Sequence, residues 1–250
     1  MKIGVALSGG GARGAAHIGV LQALNENGIF PSHVSGASAG ALIASLYCSG
    51  YTPLEILALS KEKEFLHIFS KGFVLQELRG LSRLKRFLES HISPKNIEDL
   101  KLPLFISLSN LNTGKCEIIN KGDLIPIILA SCSIPLIFKP IKINGNSYVD
   151  GGLLNDLPIT PLKEKNLKII GVSLCANDYL PQVKGVLNIA ERVFQMSVLN
   201  NITPRLRQCD VALELTRTFK YGMFDVSKSQ ELYDIGYETT LLKIDAIKKL

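Results

Sequence analysis

The sequence predicts an α/β protein whose mostly parallel sheet is covered by helices on both faces. Three observations predict it. Short apolar runs rich in β-branched residues recur along the chain, helical patterns separate them, and the first run passes straight into a glycine-rich loop and a helix. At 250 residues the chain is long enough to bury a core without disulfides or metal. No repeat, low-complexity tract or Pro-, Gly- or Ser-rich linker divides it, so residues 1–250 read as one domain.

Residues 2–8 read as a buried strand. Residues 14–27 follow as a helix, with Ala15, Ala16, Ile18, Leu21 and Leu24 on its inner side and Gly28 at its end. A short strand at 33–36 leads into the apolar helix 38–50, which stops at Gly50. The segment 52–91 is more charged and less periodic and reads as an excursion from the sheet. Strands follow at 103–108 and 115–119, then a helix near 123–132. Residues 141–150 predict a hairpin turning at Asn144-Gly145-Asn146. The chain closes with a strand at 168–174, a helix at 186–199, a strand at 211–215 and an amphipathic helix at 230–250.

Cys48, Cys116, Cys132, Cys175 and Cys209 are scattered and form no CxxC pair, which excludes a disulfide framework or zinc site and suits a reducing compartment. The first apolar stretch, only about five residues, is too short for a secretory signal. No window approaches the ~18 uncharged apolar residues of a spanning helix. A cytoplasmic protein is expected, with contact at the inner membrane surface as its peripheral variant. The formal charge is +6. Its densest contribution is Arg79-Gly80-Leu81-Ser82-Arg83-Leu84-Lys85-Arg86-Phe87-Leu88. This stretch reads as an ordinary amphipathic surface helix or as a flap on an anionic membrane. Nucleic acid is a poor third, since no binding motif is present and Trp is absent.

Two motifs carry chemistry. Gly9-x-Gly11-x-x-Gly14 matches the dinucleotide fingerprint between a strand and a helix. That fingerprint also needs an acid at the end of the second strand, where this chain has Ser32-His33-Val34-Ser35-Gly36. In that place stands Gly36-Ala37-Ser38-Ala39-Gly40, a GxSxG. Small residues around Ser38 permit the sharp strand-to-helix turn of a nucleophile elbow. The competing reading is Ser38 as a plain helix N-cap. Taken together, the motifs explain each other. If Ser38 attacks an ester, bare amides of Gly9, Gly10, Gly11 and Ala12, with Ala39, can hold the oxyanion. Arg13 either adds positive potential there or pairs with a carboxylate to fix the loop.

The base is the harder question. The histidines are His17, His33, His67 and His91, and none follows His91, so the usual order of serine, acid and histidine does not fit. Asp150, at a strand end and followed by Gly151 and Gly152, is the best candidate; its plain alternative is an Asp-Gly turn. An aspartate can serve only where the site is desolvated and the hydroxyl is held against it.

The ordered set Gly9-Gly10-Gly11-Ala12-Arg13-Gly14, Gly36-Ala37-Ser38-Ala39-Gly40 and Asp150-Gly151-Gly152 resembles the patatin-like phospholipase family. Ala130-Ser131-Cys132-Ser133-Ile134-Pro135 and Asn155-Asp156-Leu157-Pro158 resemble its segments before and after the aspartate, so the likeness spans about residues 2–175. The resemblance implies a three-layer α/β/α fold, a Ser38–Asp150 dyad without histidine and a glycine-rich oxyanion hole. It further implies hydrolysis of phospholipid or other lipid esters through an acyl-enzyme, with no metal or cofactor. An acyltransferase, a nucleotide-binding module and a catalytically silent lipid-binding regulator remain as alternatives.

Overall fold

The computed structural model describes residues 2–68, 79–174, 182–223 and 225–250. Among these residues eight strands form one sheet: β1 (Ile3–Leu7), β2 (His33–Gly36), β3 (Leu104–Asn110), β4 (Lys115–Ile119), β5 (Ile141–Ile143), β6 (Asn146–Asp150), β7 (Lys168–Ser173) and β8 (Val211–Glu214). Strands β3, β2, β1, β7 and β8 lie side by side and parallel. Strands β4, β6 and β5 add antiparallel pairings at the β3 end. Each expected strand is present within two residues of its expected ends. The hairpin turn is as expected too, with Asn144 and Gly145 both at positive φ (49° and 83°), the two-residue turn that suits strand twist.

Helices cover both faces because the strands alternate. Val5, Leu7, Ile106, Leu108, Ile170, Val172 and Leu213 point to one core. That core is shared with α1 (Ala15–Glu26), α2 (Ala39–Ser49), α3 (Pro53–Ser60), α4 (Lys63–Ile68), α5 (Arg79–His91) and α6 (Leu124–Ser131). Ala6, Phe105 and Ile169 point the other way, against Leu157, Leu162, Ile202 and Leu206. This second face is covered by α8 (Thr160–Glu164) and α9 (Val186–Leu206), with α7 (Gly152–Asn155) packed on α9. Helices α10 (Ser229–Leu241) and α11 (Ile244–Lys248) close the first side, α10 lying along α1. The fold is three-layer α/β/α.

Several boundaries differ from the sequence reading. The helix expected from residue 14 is preceded by a 3₁₀ turn, Gly11–Gly14. Helix α9 runs on to Leu206 through Asn200, Asn201 and Pro204, residues that usually break helices; Pro204 brings no amide to the Asn200 carbonyl, and burial of Ile202 and Leu206 offsets that loss. The closing helix breaks between α10 and α11, so that Ile247 returns to the core while Leu242 is left outside. The basic stretch forms the second half of the excursion, α5. Leu84, Phe87 and Leu88 are buried and Lys85 and Arg86 face outward, as in an amphipathic surface helix. Residues 69–78 of the excursion and Cys175 lie outside the described residues. Among the described residues no helix is long and apolar enough to cross a membrane, and no three His, Cys, Asp or Glu side chains gather to hold a metal ion.

One feature of the register positions the site. Strand β4 pairs with residues 106–110 along one edge of β3. Strands β2 and β6 must therefore share the other edge, β2 pairing Gly36 with Ile106 and β6 pairing Asp150 with Leu108. They run toward each other, and their ends meet two residues apart.

Candidate active site

Ser38 leaves the end of β2 with φ 51° and ψ −123°, a conformation rare for a residue bearing a Cβ. The turn closes only because its flanks are small. A Cβ on Gly36 would lie 2.6 Å from the Gly40 carbonyl carbon, and one on Gly40 would lie 2.3 Å from the Leu7 carbonyl oxygen. The Ser38 side chain makes no capping bond to α2, so the N-cap reading does not hold. Its Oγ donates instead to Asp150 Oδ2 at 2.6 Å.

Asp150 is fully buried at the end of β6. Its other oxygen, Oδ1, accepts from the Gly152 amide at 2.8 Å. Burial disfavours the carboxylate and pushes its pKa up to about 7, against the opposing pull of the Ser38 and Gly152 donors. Gly151 packs against the Ser107 carbonyl, where a Cβ would come within 2.0 Å of the oxygen. The end of α6 and the residues just after it tie the two halves together. Ser131 Oγ accepts from the Ser38 amide (2.9 Å) and donates to the Ser107 carbonyl (2.9 Å), and the Ser133 carbonyl accepts from the Asp150 amide (2.9 Å). The Cys132 thiol donates to the Ser38 carbonyl; burial and the Asp150 charge push its pKa up, so it stays protonated.

The glycine loop lies against Ser38, and its amides divide into two groups. Gly9 N–H donates to Asp156 Oδ1 at 2.9 Å and Ala12 N–H donates to the Met223 carbonyl at 2.7 Å. These two are spent on structure, which corrects the expectation that they are oxyanion donors. The amides of Gly10, Gly11 and Ala39 have no acceptor among the described residues. Gly11 needs to be glycine twice over, with φ 61° and room for no Cβ beside the Met223 carbonyl. Gly14 lets the loop rest on Ala39. Arg13 donates to the Tyr221 and Phe219 carbonyls and stacks on the Phe219 ring at 4.5 Å, fastening residues 219–221 to the loop.

Among the described side chains no histidine takes the place of the acid. His17 Nε2 meets the Ser8 carbonyl at 2.8 Å and is held neutral, its pKa lowered to about 4 by burial. His33 packs beside Phe105 and His91 beside Phe87. Ser131, Ser133 and Asp156 stand within the flanking motifs, but nothing in the sequence marks their roles. Asp156 also receives a long-range brace, its amide donating to Asn201 Oδ1 on α9. No signal in the sequence marks Asn201.

Such an arrangement, a hydroxyl held by a buried acid with open amides alongside, is suited to acyl transfer. A family model described as patatin-like phospholipase matches residues 5–163. An uncharacterized NTE family protein of Mycobacterium tuberculosis is 31% identical over 184 residues, covering 72% of this chain and 51% of the relative. Lysophospholipase NTE1 of Candida albicans is 26% identical over 266 residues, covering 94% of this chain and 19% of the relative. The chain thus spans about half the length of the mycobacterial relative. Among solved structures, VipD from Legionella pneumophila superposes with TM-score 0.58 at 16% identity, covering 98% of this chain and 67% of that one, a likeness of fold.

Proposed function

The chain belongs to the patatin-like phospholipase family, and from that premise we propose that it is a serine acyl hydrolase cleaving phospholipids or related lipid esters. The observation that carries this is the 2.6 Å bond from Ser38 Oγ to a buried Asp150 carboxyl, made at an elbow beside three unoccupied amides. Ser38 Oγ attacks the ester carbonyl carbon while its proton passes to Asp150. The carbonyl oxygen becomes an anion facing the Gly10, Gly11 and Ala39 amides, each such donor contributing about 3 kcal/mol in the transition state. The carbon–oxygen bond to the alcohol then breaks, and Asp150 returns the proton to the departing oxygen. Water attacks the acyl-Ser38 by the same route, and the carboxylic acid leaves with Ser38 regenerated. A base with a pKa near 7 suits this exchange, because it both accepts and returns a proton near neutral pH.

Ser38→Ala and Asp150→Asn should each lower kcat/KM toward a chromogenic ester by on the order of 10³-fold or more, with the fold intact by circular dichroism. A fluorophosphonate should label wild-type Ser38, read by peptide mass spectrometry. Near-full activity in Asp150→Asn would overturn the dyad.

A peripheral contact with the lipid surface belongs to the same reading. It is better supported at α9 than at the basic helix α5. Val186, Ile189, Val193 and Met196 form an exposed apolar stripe on α9, while Phe194, Val198 and Leu199 of the same helix line the cleft at Ser38. Val186→Ser with Val193→Ser should weaken co-sedimentation with phosphatidylglycerol vesicles and leave turnover of a soluble ester unchanged. Unaltered vesicle binding would remove α9 from this role.

A further inference from the structure

Ser38 stands where two clefts meet, and they differ in chemistry. The first is lined by Asp150, Asp156, Phe194, Gln195 and Val198. The second is lined by Ile18, Leu42, Ile43, Phe65, Phe138 and Val226. Gly11, Ser38 and Ile134 belong to both.

We infer that the second cleft takes the acyl chain and the first takes the leaving alcohol. This assignment rests on the acyl hydrolase reading above and deepens it. In the tetrahedral adduct the reacting carbon carries four groups: Ser38 Oγ, the oxyanion, the acyl chain and the alcohol oxygen. As the bond to that oxygen breaks, the proton taken from Ser38 must pass from Asp150 to it, so the alcohol has to lie within reach of Asp150. Asp150 lines the first cleft only. The second offers no acid or base among its described lining residues. Apart from Ser38 and the oxyanion amides of Gly11 and Ala39, its polar side chains are already committed: Ser60 Oγ donates to the Leu57 carbonyl, Ser229 Oγ to the Val226 carbonyl and Cys132 Sγ to the Ser38 carbonyl. What remains is apolar wall, suited to methylenes and to nothing that needs a hydrogen bond. The first cleft is different in this respect too. Gln195 leaves its Oε1 buried without a donor among the described residues, an acceptor open to a hydroxyl on the alcohol portion.

The test uses two ester series on the full chain. In one the alcohol is p-nitrophenol and the acyl group runs from acetate to palmitate. In the other the acyl group is butyrate and the alcohol varies in bulk. Val226→Phe narrows the second cleft. Each buried methylene is worth about fourfold in affinity, so this variant should lose more than about tenfold in kcat/KM for palmitate relative to acetate. Its dependence on the alcohol should not change. Val198→Phe narrows the first cleft and should give the converse, discriminating against bulky alcohols at every chain length. If Val226→Phe melts at assay temperature, Ser229→Leu on the same wall takes its place. The assignment is overturned by the reversed pattern, or by acyl-length profiles that neither variant alters. If the wild type cleaves no ester and Ser38 takes no fluorophosphonate label, the hydrolase reading fails and this assignment with it. Labelling and turnover with an unshifted profile sink the assignment alone.

Discussion

Ser38 and Asp150 share one hydrogen bond, yet the chain holds them in opposite ways. Ser38 is strained in its backbone, at φ 51° on an elbow packed between Gly36 and Gly40. Asp150 lies in an ordinary strand, and its strain is electrostatic: a carboxyl removed from water and held, among the described residues, by the Ser38 hydroxyl and the Gly152 amide. Conformational strain does not depend on pH, whereas electrostatic strain does. The difference separates the two halves of the dyad experimentally, although they touch.

The larger effect belongs to Asp150. As the base it must be a carboxylate in the free enzyme, so kcat/KM for a soluble ester should rise about tenfold per pH unit below about 7 and level off above it. A profile flat down to about pH 5 would mean that another group governs the proton. Stability should move in the opposite direction. The folded pKa of about 7 lies above the ordinary 3.8, so between these values the folded state keeps a proton that the unfolded state has lost. The contribution of Asp150 to stability is therefore full below pH 3.8 and is lost as the pH rises through about 7. Asp150→Asn cannot ionise. Its melting temperature should gain steadily on that of the wild type as the pH is raised across this window.

The same contrast explains what was legible in the sequence. The elbow was readable because strain at a turn demands glycines at fixed offsets, and Gly36 and Gly40 stand at those offsets. The strands were readable because residues such as Val5, Leu7, Ile170 and Val172 are β-branched or apolar over short runs. Asp150 could be named only by elimination and resemblance, since what makes it a base is burial, and burial comes from distant parts of the chain. The division of the loop amides was hidden for the same reason. Gly9 and Ala12 are occupied by Asp156 and Met223, partners far along the sequence. The contact of α1 with α10 was equally silent: Gly19 and Gly236 sit inside helical patterns, where nothing local marks them. A Cβ at either would come within 1.9 Å of a carbonyl oxygen on the other helix. The sequence ends helix α9 too early because Asn200, Asn201 and Pro204 oppose a helix locally, while Ile202 and Leu206, buried under the sheet, draw it onward.

The smaller effect belongs to Ser38, and it requires a comparison between two variants. Ser38→Ala and Ser38→Gly both remove the hydroxyl, and both leave Asp150 with the Gly152 amide as its remaining donor. They differ in the Cβ alone. Alanine keeps the steric conflict at φ 51° and ψ −123°, whereas glycine enters that region freely. Strain of this kind is worth about 1–3 kcal/mol, and the extra unfolded-state freedom of glycine offsets roughly 0.5–1 kcal/mol of the gain. Ser38→Gly should therefore be more stable than Ser38→Ala by about 1 kcal/mol in urea denaturation, and by the same margin at every pH. If alanine proved the more stable, the elbow would hold no strain at Ser38. A margin that grew with pH would mean that the two variants leave Asp150 in different surroundings, and the conformational and electrostatic halves of the site would then not be separable.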